Sequence, residues 1–245
     1  RLAPPEILHI LQDADCKVLA LGKDFLTLPN SPEIARWEDK CFYIGPIDEE
    51  VNQPQYENLL FNADKAEKYD VEETDLALLL YTGGTTGRSK GVKLSHRNIV
   101  SNGMQMAIAM NACKTDIYLH AAPMFHAADL LCTAFTLTGA AHAYLPAFTP
   151  LKALELIQNY RVTVTMLAPT MIIMCLTDSS FGKFNTTQMR MMLYGSSPMA
   201  AEWVEKAIKG FKETKIVQGY GLTETSPILT SVSYTHLTLP TILLV

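Results

Sequence analysis

Apolar runs of strand length alternate with segments of helical period along this sequence, and no other feature restricts its fold as much. The alternation is that of βα units building largely parallel sheets flanked by helices, an α/β fold. Candidate strands are Lys17–Leu21, Lys40–Ile44, Leu76–Thr82, Ile117–Ala121, Ala141–Leu145, Val162–Leu167, Met189–Tyr194 and Lys215–Val217. Most are continuously apolar, which suits strands covered on both faces. Helix starts are marked locally. Thr149 precedes Pro150, a capping hydroxyl before a residue whose fixed φ suits the first helical turn. Ser197–Pro198 repeats that device, and Val204, Ala207, Ile208 and Phe211 then recur at helical spacing toward a stop at Lys209–Gly210, or at Phe211. The stretch Leu28–Gly45, outside its short apolar run, and the acidic segment Asp48–Pro54 read as irregular connections.

With 245 residues and 48% hydrophobic content, the chain can bury a sizeable core in one or two domains. Its formal net charge is −5 and no block of Lys or Arg supplies a phosphate-neutralising stripe, which excludes a nucleic-acid binder. Cys16, Cys41, Cys113, Cys132 and Cys175 are widely spaced, with no C-x-x-C pair for zinc or redox work, and a reducing cytoplasm suits them. Two uncharged runs, Leu130–Leu151 and Thr225–Val245, approach the ~20 residues of a membrane span. Gly139, His142, Pro146 and Pro150 interrupt the first, and Pro227 and Pro240 the second, so no transmembrane segment is expected. The chain opens on Arg1 rather than Met, and a natural N-terminus with any targeting signal is expected to lie outside it.

The string Tyr81-Thr82-Gly83-Gly84-Thr85-Thr86-Gly87-Arg88-Ser89-Lys90-Gly91, directly after an apolar run, has the makings of a phosphate cradle. Glycines let backbone N–H groups approach an anion, the threonine hydroxyls can donate to phosphate oxygens, and Lys90 adds positive charge. A Walker A loop is excluded, because G-x-x-x-x-G-K-[ST] is absent and Val92-Lys93-Leu94 reads as extended rather than helical. A surface turn is the plain alternative for any such Gly/Thr loop.

Three further strings follow in order: Pro123-Met124-Phe125-His126-Ala127-Ala128-Asp129, Tyr194-Gly195-Ser196-Ser197-Pro198, and Gln218-Gly219-Tyr220-Gly221-Leu222-Thr223-Glu224-Thr225. In the last, Glu224 offers hard oxygens suited to Mg²⁺, Thr223 a hydroxyl for phosphate, and Tyr220 a ring on which a base can lie. Taken alone, each string could equally be a turn, a cap or a solvated helix start.

Together the four strings resemble those of the adenylate-forming superfamily, in particular acyl-CoA synthetases and fatty-acid or aryl-acid:CoA ligases. The family loop usually reads Y-T-S-G-T-T-G-x-P-K-G, and here Gly83 and Ser89 stand in place of Ser and Pro. The resemblance covers residues 1–230 and implies an incomplete large N-terminal domain of the adenylate-forming fold. It assigns Thr82, Gly83, Gly84, Thr85, Thr86, Gly87 and Lys90 to ATP phosphates, and Ser196, Gln218, Gly219, Tyr220, Gly221 and Thr223 to the rest of the nucleotide. Glu224, with Thr82, would hold Mg²⁺, and Glu224, Thr223 and Lys90 would serve the chemical step. His126, Gly195, Ser196 and Ser197 would line the pocket of the acid, Ser197 with an equal reading as a cap only. Amino-acid-activating relatives carry Asp where His126 stands, which argues against amino acids, although Asp129 lies three residues on.

The implied reaction joins a carboxylic acid to AMP with release of pyrophosphate, then transfers the acyl group to CoA. Fatty or aryl acids fit the apolar Met124 and Phe125. The family's ribose-binding aspartate and its C-terminal lysine are not among these residues, so the chain by itself is expected to be inactive or very slow. A nucleotide-binding remnant without catalysis is the alternative. From Ser231 the sequence leaves the family pattern, and residues 231–245 read either as a non-native tail or as a divergent strand rich in β-branched residues.

Overall fold

A computed structural model describes residues 2–66, 68–83 and 88–234. Gly84, Thr85, Thr86 and Gly87 of the glycine loop, and the tail from residue 235, lie outside the described residues.

The chain divides into two compact units, residues 1–72 with 81–91, and 73–80 with 92–245. In the first, α1 (Pro4–Asp13) precedes β1 (Leu19–Leu21), which pairs in parallel with β2 (Cys41–Tyr43), and α2 (Tyr56–Asn62) follows. Leu11, Leu21, Ile34, Trp37 and Cys41 form its core. The connection from Leu28 is a chain of short 3₁₀ turns, and it brings Ile34 and Trp37 inward. A separate two-stranded sheet joins β3 (Leu76–Thr82) to β4 (Lys90–Ser95), the extended stretch that follows the glycine loop.

The second unit is built on a six-stranded sheet. Its strands are β5 (Ile117–His120), β6 (Ala141–Tyr144), β7 (Val164–Leu167), β8 (Met191–Tyr194), β9 (Lys215–Gly221) and β10 (Ile228–Tyr234), in the order β10-β9-β8-β7-β5-β6. All neighbours are parallel except β10, which runs antiparallel to β9. Helices α3 (His96–Ala109), α4 (Cys132–Leu137), α5 (Pro150–Asn159), α6 (Pro169–Thr177) and α7 (Ala201–Gly210) complete the unit.

Both faces of the sheet are covered, as the apolar runs predict. Every residue of β7 and β8 is buried. Because side chains alternate across a strand, Met192 and Tyr194 join the cluster of Leu154, Ile172, Val204 and Phe211, whereas Met191 and Leu193 join Tyr118, Leu131 and Phe135. Thr149 caps α5 as expected, its Oγ1 accepting from the Lys152 N–H at 3.3 Å. The cap expected at Ser197 is not made. Helix α7 begins at Ala201, with Ala200 as its N-cap and no side-chain cap bond, and Ser197 is exposed. The need to bury Val204 and Ala207 sets where this helix runs, and it outweighs a cap contributing ~1 kcal/mol. Strand β9 is also longer than its apolar run, because pairing with β10 extends its ladder through Gln218–Gly221.

Among the described residues no helix is long and apolar enough to cross a membrane.

Candidate active site

In open α/β sheets, ligands bind beyond the carboxyl ends of the parallel strands. Three of the four strings leave the sheet of the second unit at that edge. β5 runs into Ala121–Asp129, β8 into Gly195–Pro198, and β9 carries Gln218–Gly221 into the turn that holds Glu224. One geometric rule thus gathers residues more than ninety positions apart.

The turn at Thr223–Thr225 is a single 3₁₀ turn braced by Thr225. The Thr225 Oγ1 accepts from the Leu222 N–H at 2.9 Å and lies 2.9 Å from the Leu222 carbonyl and 3.1 Å from that of Pro227. Glu224 is left exposed, in no ion pair among the described residues, so its carboxylate is free to meet a cation. Tyr220 is 57% exposed and presents its ring to solvent. Gln218 accepts from the hydroxyls of both Tyr194 and Tyr234, which ties β8, β9 and β10 together. Asn102 on α3 clamps the start of β10, donating from Nδ2 to the Ile228 carbonyl at 2.7 Å.

The small residues have structural reasons of their own. A Cβ on Gly195 would lie 2.8 Å from the Gly219 carbonyl oxygen, and one on Gly221 would lie 1.7 Å from that of Pro227. Ser196 holds a left-handed backbone, φ 64°, a conformation that costs a non-glycine residue of order 1–3 kcal/mol and recurs at ligand-binding turns. Ser196 and Ser197 are both exposed.

In the string after β5, Met124 and Phe125 are 58% and 83% exposed. The His126 Nδ1 accepts from the Ala128 N–H at 3.2 Å, capping a 3₁₀ turn at Ala127–Leu131. Asp129 faces inward. It is 4% exposed and meets His120 Nδ1 at 2.9 Å, so it is not presented to solvent as a partner for a substrate ammonium. Sequence reasoning passed over this partnership, because a strand histidine and a loop aspartate nine positions apart carry no local signal.

In the first unit, the neck of the glycine loop is anchored on α1. The Tyr81 hydroxyl donates to Asp13 at 2.6 Å, and a ring nitrogen of His9 lies 3.3 Å from the Ser89 carbonyl. Burial, reinforced by the Asp13 carboxylate, pushes the Tyr81 phenol up to about 12. Thr82 and Lys90 come together across the neck, Thr82 Oγ1 lying 3.5 Å from the Lys90 carbonyl. Among the described residues, none but its chain neighbours comes within 4 Å of where a Gly83 side chain would stand.

Comparison with known proteins agrees with this geometry. A family model described as AMP-binding enzyme matches residues 1–242. The 4-coumarate-CoA ligase 1 of Narcissus pseudonarcissus is 30% identical over 196 residues, 75% of this chain and 36% of that protein. The probable 4-coumarate-CoA ligase 1 of Dictyostelium discoideum is 37% identical over 159 residues, 62% of this chain and 29% of that protein. ATP-bound MatB from Rhodopseudomonas palustris superposes with a TM-score of 0.80 at 28% identity, over 96% of this chain and 46% of that one. An anthranilate CoA ligase, AuaEII, solved with anthranoyl-AMP, gives 0.84 at 22% identity, over 94% and 45%, and shares the fold. The chain therefore spans about a third to a half of the length of these relatives. From the four strings, the placement of three of them along one sheet edge, and the family match over nearly its whole length, the chain is a member of the AMP-binding enzyme family, the adenylate-forming superfamily.

Proposed function

We propose that the protein carrying this chain uses ATP to activate an apolar carboxylic acid, fatty or aromatic, and passes the acyl group to CoA. The single observation that carries the reading is the gathering of the Gly195–Ser197, Gln218–Glu224 and Pro123–Asp129 strings at the carboxyl edge of one parallel sheet.

A carboxylate is a poor electrophile because its leaving group would be oxide. Its oxygen attacks the α-phosphorus of ATP, the bond from that phosphorus to the bridging oxygen breaks, and pyrophosphate departs. The thiol of CoA then attacks the acyl carbon, its proton passes to solvent, and AMP leaves. Catalysis of this kind is chiefly alignment and stabilisation of charge on phosphate oxygens, each contact accounting for roughly 10²–10³-fold in rate. Thr82, Lys90 and the backbone of Gly83–Gly87 are the proposed phosphate contacts, and Ser196, Gln218, Gly219 and Gly221 line the nucleotide, with Tyr220 as the platform for the base. Glu224, an exposed hard oxygen donor beside the Thr223 hydroxyl, fits Mg²⁺. When bound, Mg²⁺ would neutralise phosphate charge. His126, Gly195 and Ser197 would border the acid, and the exposed Met124 and Phe125 favour one without charge along its chain.

Carboxylate-dependent exchange of pyrophosphate into ATP by the intact protein is the test. Exchange with fatty or aromatic acids is expected. Nucleotide binding without exchange for any acid would replace this reading with that of a non-catalytic nucleotide-binding protein. Glu224→Gln should abolish Mg²⁺-dependent adenylation and shift the urea melt by no more than ~0.5 kcal/mol, since the residue is exposed.

A further inference from the structure

Beside the proposed acid pocket, but outside the machinery assigned above, lies a buried group of titratable side chains. His120 at the end of β5 is 3% exposed and Asp129 is 4% exposed, with His120 Nδ1 at 2.9 and 3.2 Å from the two carboxylate oxygens. His120 Nε2 lies 2.9 Å from His142 Nδ1, and His142 Nε2 lies 3.2 Å from the Thr136 Oγ1, whose hydroxyl donates to the Cys132 carbonyl at 3.1 Å. Tyr144 stacks on the His120 ring at 4.6 Å.

Thr136 has one hydroxyl proton, and its donation to Cys132 leaves it to accept from His142 Nε2–H. His142 Nδ1 then accepts, so His120 Nε2 must carry a proton. With Nε2 protonated, His120 Nδ1 is a bare lone pair facing a buried carboxylate, unless a proton or a cation lies between the two. What lies between them is then a proton, on the ring or on the carboxyl, or a metal ion.

Two observations favour the metal. One ligand atom from each of His120, Asp129 and Cys132 lies within 4.8 Å of the other two, so a nitrogen, an oxygen and a sulfur donor stand within reach of a single ion. The hydroxyl of Tyr118, a residue with no exposure at all, makes no well-formed hydrogen bond among the described residues, although the Asp129 carboxylate is close enough to act on it. A buried hydroxyl rarely goes unpaired, and a water in the fourth position of a three-ligand site would satisfy it.

We propose that His120 Nδ1, Asp129 and Cys132 bind one divalent cation of the zinc class, with a water toward Tyr118 as the fourth ligand. The mixed nitrogen, carboxylate and thiolate donor set suits a borderline-soft ion. Binding releases the Cys132 thiol proton. His142 and Thr136 form the outer shell that fixes the His120 tautomer, as ligating histidines commonly require. The ion would pin the Pro123–Asp129 string to β5, so its role is structural and separate from Mg²⁺ at Glu224.

The test uses the 245-residue chain, freed of metal by chelation and titrated with Co²⁺. One equivalent should produce a thiolate-to-cobalt charge-transfer band, which Zn²⁺ removes and which is lost in Cys132→Ser. Absence of the band, or a band undiminished in Cys132→Ser, overturns the proposal. If that variant fails to fold, alkylation of the wild-type chain decides, read at Cys132 by peptide mass. Zn²⁺ should suppress modification there, and equal modification with and without Zn²⁺ would mean that a histidinium–aspartate pair holds the group.

Discussion

Replacing Gly195 by alanine separates two reasons for a small residue at the end of β8, room for a ligand and room for the neighbouring strand. The added Cβ would stand 2.8 Å from the Gly219 carbonyl oxygen and 3.5 Å from the Met166 methyl. The first distance is some tenths of an ångström inside any tolerable carbon–oxygen contact, and its partner is backbone held in the β8–β9 ladder, where Tyr194 pairs with Gln218. The strands must part locally. Overpacking of this kind costs ~1–3 kcal/mol, which at ~2–4 °C per kcal/mol for a chain of this size lowers Tm by roughly 2–12 °C. Urea and thermal melts of the ligand-free chain, followed by circular dichroism, would read it. Ser197→Ala is the control, exposed and making no cap, and it should stay within ~0.5 kcal/mol of wild type. If Gly195→Ala melts with the wild type and loses only binding of the acid, the strand-contact argument is wrong and the ligand alone demands the glycine.

Arg190→Ala should be among the most destabilising single changes. Its guanidinium, itself a third exposed, grips the buried Asp116 carboxylate through Nε at 2.7 Å and an Nη at 2.6 Å, and leaving that carboxylate without these donors costs ~1–3 kcal/mol, readable as a urea midpoint shift. Burial alone would push the Asp116 carboxyl up, but Arg190, the Cys113 N–H and Thr163 together hold it below its ordinary value. Its contribution is therefore full above the ordinary carboxylate range and fades as pH falls through the lowered value, a loss that acid titration of wild type should show and that of Arg190→Ala should not. At the other end of the scale, the Tyr81 phenol is raised to about 12, so its bond to Asp13 stabilises the first unit up to about pH 10 and is lost as pH climbs toward 12. Tyr81→Phe should remove that alkaline step from a hydrogen-exchange profile of α1.

The parts of the fold fixed by a strand's own neighbours were legible. β7 and β8 are buried at every position, and apolar but for Thr165, because both sides of the sheet are covered, and periodicity reports burial directly. Thr149–Pro150 was legible for the same reason, since a cap is a contact over three residues. Ser197–Pro198 carries an equally good local signal, but the helix answers to Val204 and Ala207 instead. The end of β9 was hidden because a strand's length depends on its partner, and β10 lends Gln218–Gly221 a ladder that their own composition does not announce. Of the candidate site, the strings themselves are visible in sequence. The supports are not: Asn102, Thr225 and the His120–Asp129 pair are ordinary polar residues until folding brings them to their partners.

The clamp between Asn102 and Ile228 spans 126 residues of chain. Closing so large a loop is entropically unfavourable until the intervening strands have paired, so contacts of this separation form late. The turn bearing Glu224 sits immediately before the clamped residue, which makes it among the last segments to settle during folding and among the first to loosen under stress. If Glu224 holds Mg²⁺ as proposed, a cell would lose that affinity before it lost the sheet: mild heating or a destabilising substitution far away, anywhere between α3 and β10, would register as failing nucleotide binding in protein that is still folded by every bulk measure.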